Sequence, residues 1–280
     1  MHQKQSWQIK PAGKFSLPDI KEIWTYKDLL MRFVKKDWII TYRQTILGPL
    51  WVILEPVVAT LVYLGIFTGI LKMSYGTTPP VLFYLSGVII WIYFSDSVNV
   101  ISSVFLHNRI LLSKVYFPRL ILPLSYVVSR LSRLGIQLLL FIVVYVVYVA
   151  AGSSIKIDWQ IMLVPFILIL LVLYTFACGL ILAALSAKYR DVQNLLLFLL
   201  RLMMFATPVF YPFSAVDARL KTIIGINPLT PILESFRYSL FSQGEFNATA
   251  LLYATASTLI LLFIGLFAFG RVEQNVVDTI

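Results

Sequence analysis

Charged residues are scarce in this sequence: they make up 13% of 280 residues, whereas hydrophobic residues make up 59%. A water-soluble domain of this length needs roughly a quarter of its residues charged to cover its surface. The apolar residues also occur in long runs, and a bilayer core about 30 Å thick requires about 20 apolar residues for each helical crossing. The composition therefore predicts an all-α integral membrane protein with several crossings.

Residues that carry chemistry are also few. The single cysteine excludes a disulfide framework, a zinc ribbon and a CxxC redox pair. The only histidines are His2 and His107, so the sequence contains no cluster of His and Cys residues that would indicate a metal site. The GxxxxGK[ST] phosphate loop and the HExxH and GxSxG motifs are absent, and the loop carboxylates are scattered. We therefore expect a protein that moves a substrate, with no enzymatic activity, metal or cofactor of its own.

The first 50 residues are polar and basic. Residues 1–16 are predicted to be a flexible cytoplasmic tail, and they contain the helix breakers Pro11 and Gly13. Apolar residues then recur at helical spacing over residues 17–38 with Lys and Arg between them, which indicates an amphipathic helix in the headgroup plane within an interfacial segment, residues 17–50. The alternative is a packing helix of a small soluble cap. No cleavable signal sequence is evident, so we expect the first span to direct insertion.

Hydropathy predicts six membrane spans within residues 51–270. Residues 120–128 before the third span are also apolar, but Pro118 and Pro123 interrupt them, so the third span is predicted to begin at residue 134, with an earlier start as the alternative. The six predicted spans are residues 51–71, 81–102, 134–151, 161–186, 192–210 and 250–269. Residues 212–244 are less hydrophobic and contain several Pro and Gly residues, which predicts two short helices that enter the membrane and return.

The distribution of basic residues predicts the orientation. With six spans, 17 of the 23 Lys and Arg residues lie on the side of the termini and 5 lie on the opposite side. The positive-inside rule then places both termini, including a tail at residues 271–280, in the cytoplasm. Attraction to anionic lipid explains the net charge of +10, so the sequence does not predict a nucleic-acid partner.

Three charged residues lie within or near predicted spans. Arg201 follows the cytoplasmic Arg190 by eleven residues, which places it about 16 Å deep. An intramembrane Arg faces a cavity or a partner, so Arg201 is interpreted either as a phosphate contact for a substrate or as the ion-pair partner of Asp96. Glu55 precedes Pro56 at the inner end of the first span, where it can remain hydrated.

Aromatic residues make up 15% of the chain, and many lie in predicted spans one, two and five. Aromatic faces can bury the C–H surface of sugar rings without a fixed hydrogen-bond geometry. They also anchor helices at the membrane interface, and periodicity alone does not separate these two roles.

Five short strings occur in register with this hydropathy pattern. They are YRQTILGPLW at residues 42–51, KVYFPR at 114–119, KYRDV at 188–192, TPVFYP at 207–212 and NPLTP at 227–231, the last followed by Phe236 and Arg237. Over residues 17–275, the chain resembles the ABC-2 type permeases that export polysaccharides, namely the O-antigen, capsule and teichoic acid exporters.

The resemblance implies an assembly. Such permeases have six spans with both termini inside, form homodimers, and work with a separate ATPase subunit that binds ATP and Mg²⁺. Residues 103–118 would form the loop that couples the permease to this ATPase, and residues 212–244 would form the outer gate. The coupling residues would be His107, Asn108, Arg109, Leu112, Lys114 and Tyr116.

The resemblance also implies a substrate, a glycan linked to a polyprenyl diphosphate, with O-antigen as the leading candidate. Tyr42, Arg43 and Arg201 would contact the lipid diphosphate, although Arg43 is equally suited to native lipid headgroups. Aromatic rings would line the glycan conduit, and the candidates are Tyr63, Phe67, Trp91, Phe94, Phe198, Phe205 and Tyr211. The alternatives are an ABC-2 permease for drugs or small lipids, a membrane enzyme of lipid-glycan synthesis, and a proton-coupled carrier.

Overall fold

The computed structural model of the protein describes residues 20–278 except positions 74, 77, 116, 154, 156–157, 190 and 243–246. Within these residues the chain forms twelve α-helices and no β-strand, which confirms the all-α fold class. Five helices are long and apolar enough to cross a bilayer. The predicted flexible tail, residues 1–16, lies outside the described residues.

The interfacial segment contains two helices, α1 (Ile20–Thr25) and α2 (Lys27–Tyr42), which are separated by a single non-helical residue, Tyr26. Helix α2 is amphipathic as predicted, with Val34 buried on one face and Lys36 exposed on the opposite face. It extends beyond residue 38, where the sequence-based prediction ended, because Thr41 and Tyr42 continue the helical hydrogen bonding until Arg43 becomes extended.

Helices α3, α4, α7, α8 and α12 are the five candidate spans, and two short helices, α5 and α6, connect α4 to α7. Including the short 3-10 and π segments that adjoin some of these helices, the candidate spans cover Gly48–Ile70, Pro80–Ser102, Ile121–Ala150, Trp159–Lys188 and Ala248–Val272. The helices themselves are α3 (Trp51–Tyr63), α4 (Pro80–Ser102), α5 (Val104–His107), α6 (Arg109–Lys114), α7 (Ile121–Ala150), α8 (Val164–Lys188) and α12 (Ala248–Asp278).

The third span begins at Ile121, 13 residues before the predicted start. Pro123 was interpreted as a helix breaker, but it occupies the third position of α7. The first N–H groups of a helix have no intrahelical acceptor, so a proline in this turn removes no hydrogen bond. At the other end of the chain α12 continues to Asp278, so the predicted tail at residues 271–280 begins inside a helix.

The fifth predicted span, residues 192–210, is shorter in the structure. Helix α9 (Val192–Phe205) has 14 residues, which gives a length of about 21 Å, less than a bilayer core of about 30 Å. The helix stops there because Pro208 lacks an N–H donor and disfavours helical geometry at Thr207. Two short helices then follow, α10 (Ala218–Ile226) and α11 (Leu229–Phe241), in the segment where two short helices were predicted.

Helix α4 is the most buried of the five candidate spans, and α9 lies along it. At the start of α9, Gln193 donates to the side-chain oxygen of Asn99 at 3.0 Å, near the end of α4. After α9, Val209 lies against Gly87 near the beginning of α4. The segment from residue 193 to residue 209 therefore runs antiparallel to α4 along much of its length.

Helices α8 and α12 run in the same direction. In the first half of α8, the Tyr174 hydroxyl lies 3.5 Å from Asn227, and near the beginning of α12 the Tyr253 hydroxyl donates to the carbonyl of the adjacent Ile226 at 2.6 Å. Towards the ends of α8 and α12, Ser186 donates to the Ser102 carbonyl and Phe269 stacks on Phe105, with ring centroids 4.8 Å apart. The chain between α8 and α12 must therefore return from one end of the bundle to the other.

Candidate functional site

A polar cavity of about 260 Å³ lies between α2, α3, α4 and α7. Its charged and hydroxyl-bearing side chains come from all four helices. The cavity is partly open where α2 meets α3, and Thr41, Trp51 and Glu55 are exposed at this opening. The lining residues are Thr41, Tyr42, Trp51, Val52, Glu55, Ile92, Tyr93, Asp96, Arg130, Arg133, Leu134 and Gln137.

Helix α2 is held against α7 by polar contacts at the edge of this cavity. Asp37 accepts hydrogen bonds from Ser129 and from Arg133, the latter at 3.2 Å. Arg133 also donates to Thr41 at 3.0 Å. Trp38 donates to Ser132 at 2.8 Å. Residues four apart share one face of a helix, so Asp37 and Thr41 on α2 meet Ser129 and Arg133 on α7.

Arg130 contributes a buried cation to the cavity. Its side chain is 8% exposed, and its Nε and Nη1 atoms are buried with no hydrogen-bond partner among the described residues. Glu55 and Asp96 interact electrostatically with Arg130 across the cavity, but within the described part of the chain neither forms an ion pair with it. A buried guanidinium with two unpaired nitrogens is energetically costly, so this cavity is suited to a bound group that accepts hydrogen bonds.

Tyr42 is the one predicted diphosphate contact that lines the cavity. Its ring centroid lies 5.1 Å from the Arg133 guanidinium, and burial raises the pKa of the Tyr42 hydroxyl to about 12. The hydroxyl is therefore a neutral hydrogen-bond donor at physiological pH. Arg43 is exposed just beyond the end of α2, next to the cavity but not in its lining.

Arg201 lies elsewhere, on the exposed face of α9. Among the described residues it forms no ion pair with Asp96, whose carboxylate faces Arg130 instead. The interpretation of Arg201 as the ion-pair partner of Asp96 is therefore wrong. The structure also does not bring Arg201 together with Tyr42 and Arg43. Sequence reasoning considered Glu55 and Asp96 but missed Arg130. Its position in a largely apolar stretch, twelve residues after the predicted end of the coupling loop at residue 118, was the available signal.

The predicted conduit aromatics divide into three groups. Tyr63 and Phe67 are half-buried and pack with Phe210, and the centroids of Phe67 and Phe210 are 4.8 Å apart in a stacked arrangement. Phe198 and Phe205 are exposed on α9, by 58% and 65%, and the half-buried Tyr211 follows in the next turn. By contrast, two of the candidates point into the protein interior, namely Trp91 and Phe94.

The predicted coupling loop forms α5 and α6. His107, Arg109 and Lys114 are exposed on these helices, whereas Leu112 is buried in the core beneath them. Asn108 joins the two helices, donating to the Val104 carbonyl at 3.0 Å and to Tyr126 at 3.2 Å. The predicted coupling residue Tyr116 lies outside the described residues.

A second buried cation, Arg237 on α11, was noted only as part of a sequence string. Its guanidinium donates to the carbonyls of Pro208 and Val209, each at 2.6 Å, and to Glu234 at 3.1 Å. The hydrogen-bonding capacity of Arg237 is used inside the protein, in contrast to that of Arg130, so its arrangement is structural.

Residues 28–241 match the ABC-2 type transporter family. The chain is similar to the O-antigen export system permease protein RfbA of Myxococcus xanthus, with 30% identity over 93% of this chain and 98% of the relative. It is 28% identical to a protein of the same name from Klebsiella pneumoniae, over 89% of this chain and 93% of the relative. It is also 27% identical to the polysialic acid transport protein KpsM of Escherichia coli, over 81% of this chain and 87% of the relative.

Proposed function

Because the chain belongs to the ABC-2 type transporter family, we propose that it is the permease subunit of an ATP-driven exporter of a polysaccharide linked to a polyprenyl diphosphate, with O-antigen as its substrate. The observation that carries this proposal is the similarity to O-antigen export permeases along nearly the full length of both chains. The permease is not an enzyme in this proposal. A separate ATPase subunit binds ATP and Mg²⁺ and supplies the energy.

The chain crosses the inner membrane six times in this proposal, with both termini in the cytoplasm. The common direction of α8 and α12 supports it, because two parallel crossings need a return crossing between them, and α9 with the residues after it runs the opposite way along α4. Helix α9 is only about 21 Å long, but it can form part of a crossing where surrounding protein shields the backbone of the residues that follow it. Helices α10 and α11 then form a re-entrant outer gate.

A homodimer forms the conduit in this proposal. Helix α9 supports this, because five of its six exposed large apolar residues recur at the three- and four-residue spacing of one helix face. The residues of this face are Leu195, Phe198, Leu199, Leu202 and Phe205. Arg201 borders this face and would contact the diphosphate or the glycan in transit, and the accessible rings Tyr63, Phe67 and Tyr211 would contact sugar faces.

Substrate entry is assigned to the region where α2 ends. Tyr42 and Arg43 would contact the lipid diphosphate there, since Arg offers a planar fork of donors suited to phosphate. The exposed side chains of His107, Arg109 and Lys114 on α5 and α6 would dock on the ATPase, with Asn108 and Leu112 holding the two helices in place.

Reconstitution of the permease with its ATPase in proteoliposomes tests the proposed function. We expect ATP-dependent translocation of a lipid-linked glycan and stimulation of ATP hydrolysis by that glycan. Arg43→Ala and Arg201→Ala are expected to reduce translocation while the permease and ATPase still co-purify. The absence of both translocation and stimulation in the wild-type complex would contradict the function, whereas normal translocation in both variants would contradict only these two sites.

A further inference from the structure

The cavity between α2, α3, α4 and α7 combines chemical groups that a single simple ligand does not satisfy. Arg130 offers buried, unpartnered N–H donors, and Tyr42 offers a neutral hydroxyl. Glu55 and Asp96 face the same space and can accept hydrogen bonds. A bare phosphate would be repelled by the two carboxylates, and an uncharged sugar would offer the unpaired N–H groups of Arg130 only neutral acceptors.

A ligand with a phosphate directly beside sugar hydroxyls matches both sets of groups. We propose that this cavity binds the junction between the diphosphate and the first sugar of an incoming lipid-linked glycan, with Arg130 on the phosphate and Glu55 and Asp96 on the sugar hydroxyls. This inference rests on the proposed function and adds a recognition site for the reducing end of the glycan.

The size of the cavity agrees with such a ligand. Its volume of about 260 Å³ is below the roughly 300–1,000 Å³ of sites for drug-sized ligands. The cavity therefore accommodates a headgroup rather than a glycan segment. Trp51 and Tyr93 line its wall and offer aromatic surface to a sugar ring.

The opening of the cavity suits a ligand that remains attached to a lipid. Glu55 is exposed at the mouth, and Val58 and Val62 continue the same face of α3, exposed by 53% and 49%. Positions 55, 58 and 62 share one side of the helix. A polyprenyl tail can therefore lie along apolar α3 while its headgroup enters between α2 and α3.

Arg237 provides an internal comparison. Both arginines are buried, but Arg237 has its donors satisfied by two backbone carbonyls and by Glu234, whereas Arg130 has Nε and Nη1 unsatisfied. Native proteins rarely leave buried polar groups without partners, so an orphaned guanidinium that faces a cavity indicates a ligand. Gln137, which lines the same cavity, is already used, since it donates to the Val52 carbonyl at 3.2 Å.

Binding to the permease–ATPase complex in lipid nanodiscs provides the first test. The probe is a short-chain polyprenyl diphosphate that carries one hexose, and the reference is the same diphosphate without the sugar. For Arg130→Gln we expect the dissociation constant of the hexosyl probe to rise at least tenfold, and Arg130→Lys should retain part of the affinity. The matched control is Arg32→Gln, at an exposed arginine on α2, which should stay within about twofold. An unchanged affinity in Arg130→Gln would overturn the inference.

The carboxylates are tested by selectivity. Wild type should prefer the hexosyl probe to the bare diphosphate. Glu55→Gln combined with Asp96→Asn should reduce this preference at least tenfold, because a neutral amide oxygen accepts a sugar hydroxyl more weakly than a carboxylate and no longer repels the bare diphosphate. Equal affinity of the wild-type complex for the two probes would overturn the assignment of the sugar.

A labelling experiment with Arg130 intact remains informative even if the Arg130 variants do not fold. Thr41→Cys, at the mouth of the cavity, is introduced in a Cys178→Ser background, with Thr45→Cys as the exposed control outside the lining. The hexosyl probe should slow maleimide labelling at position 41 and not at position 45.

No protection, or equal protection by soluble hexose 1-phosphate or by phosphatidylglycerol in the nanodisc, would overturn the assignment to a lipid-linked glycan. If the wild type translocates glycan but shows no such protection, only the assignment of the cavity as the binding site is refuted. If the wild type does not translocate glycan, the proposed function itself is refuted.

Discussion

The guanidinium carbon of Arg237 lies 3.6 Å from the centre of the Phe83 ring. The same guanidinium donates to the carbonyls of Pro208 and Val209 and to the carboxylate of Glu234. One side chain thus ties α11 to α4 and to the turn after α9, and it satisfies two buried carbonyls of that turn, which lie outside any helix.

We expect Arg237→Ala to lower the free energy of unfolding by about 3–5 kcal/mol, because it leaves Glu234 and two buried carbonyls unpaired. Denaturant-induced unfolding in detergent micelles, followed by circular dichroism, measures this loss. Arg219→Ala, at an exposed arginine on α10, is the matched control and should change the free energy by less than about 0.5 kcal/mol. Equal stability of the two variants would contradict the structural role of Arg237.

Gly87 makes the close approach of α4 to the turn after α9 possible. A Cβ at this position would overlap the Val209 carbonyl and the guanidinium of Arg237. We expect Gly87→Ala to destabilise the protein by about 1–3 kcal/mol, as overpacking does. Gly65→Ala, where a Cβ meets no atom, is the control and should retain wild-type stability in the same unfolding experiment. A Gly87→Ala variant as stable as this control would show that the two segments can separate without loss.

The pairing of Asp37 with Arg133 should hold α2 on α7. Removing the carboxylate in Asp37→Asn is expected to accelerate amide hydrogen exchange in residues 27–42, and a double-mutant cycle with Arg133→Gln should give a coupling energy of about 0.5–3 kcal/mol. Asp28→Asn, at an exposed aspartate in the first turn of α2, should leave exchange unchanged. A coupling energy near zero would mean that α2 is held by its apolar contacts alone.

The number of crossings can be tested with single cysteines in a Cys178→Ser background. Tyr189→Cys lies just after α8 and Ser214→Cys lies after α9, so these two positions are on opposite sides only if the chain crosses between them. On intact cells a membrane-impermeant maleimide should label position 214, and it should label position 189 only after permeabilisation. Thr45→Cys should behave like position 189. Labelling of positions 189 and 214 under the same condition would reduce the count to five crossings.

Hydropathy was sufficient to locate most of the fold. The predicted fourth span, residues 161–186, lies within the observed Trp159–Lys188, because a continuous apolar run of this length can be accommodated only as a helix in a bilayer. Pattern reasoning preferred a start of α7 that was 13 residues too late, because it treated Pro123 as a breaker without knowing its position in the helix. Only the helical register tells whether a proline removes a hydrogen bond.

The candidate site was predicted in part. Tyr42 lines the cavity as the YRQTILGPLW string suggested, and Asp96 and Glu55 were recognised as unusual charges within spans. Their relation to Arg130 was not predicted, because α3, α4 and α7 contribute one residue each from positions far apart in the chain. Sequence periodicity describes which face of a helix is polar, but it does not tell which other helix that face meets.

The amino-acid sequence by itself determined that this protein lies in a membrane and where most of its helices run, since both follow from the free energy of burying apolar runs and backbone groups in lipid. It also contained the family resemblance, through strings that occur in a fixed order. Tertiary structure decided which charges are satisfied and which are not, because α2, α3, α4 and α7 converge around Arg130, whereas α4, α11 and the turn after α9 enclose Arg237. The two arginines are alike in chemistry and burial, and only the acceptors that packing brings to each of them distinguish a structural cation from one that faces an open site.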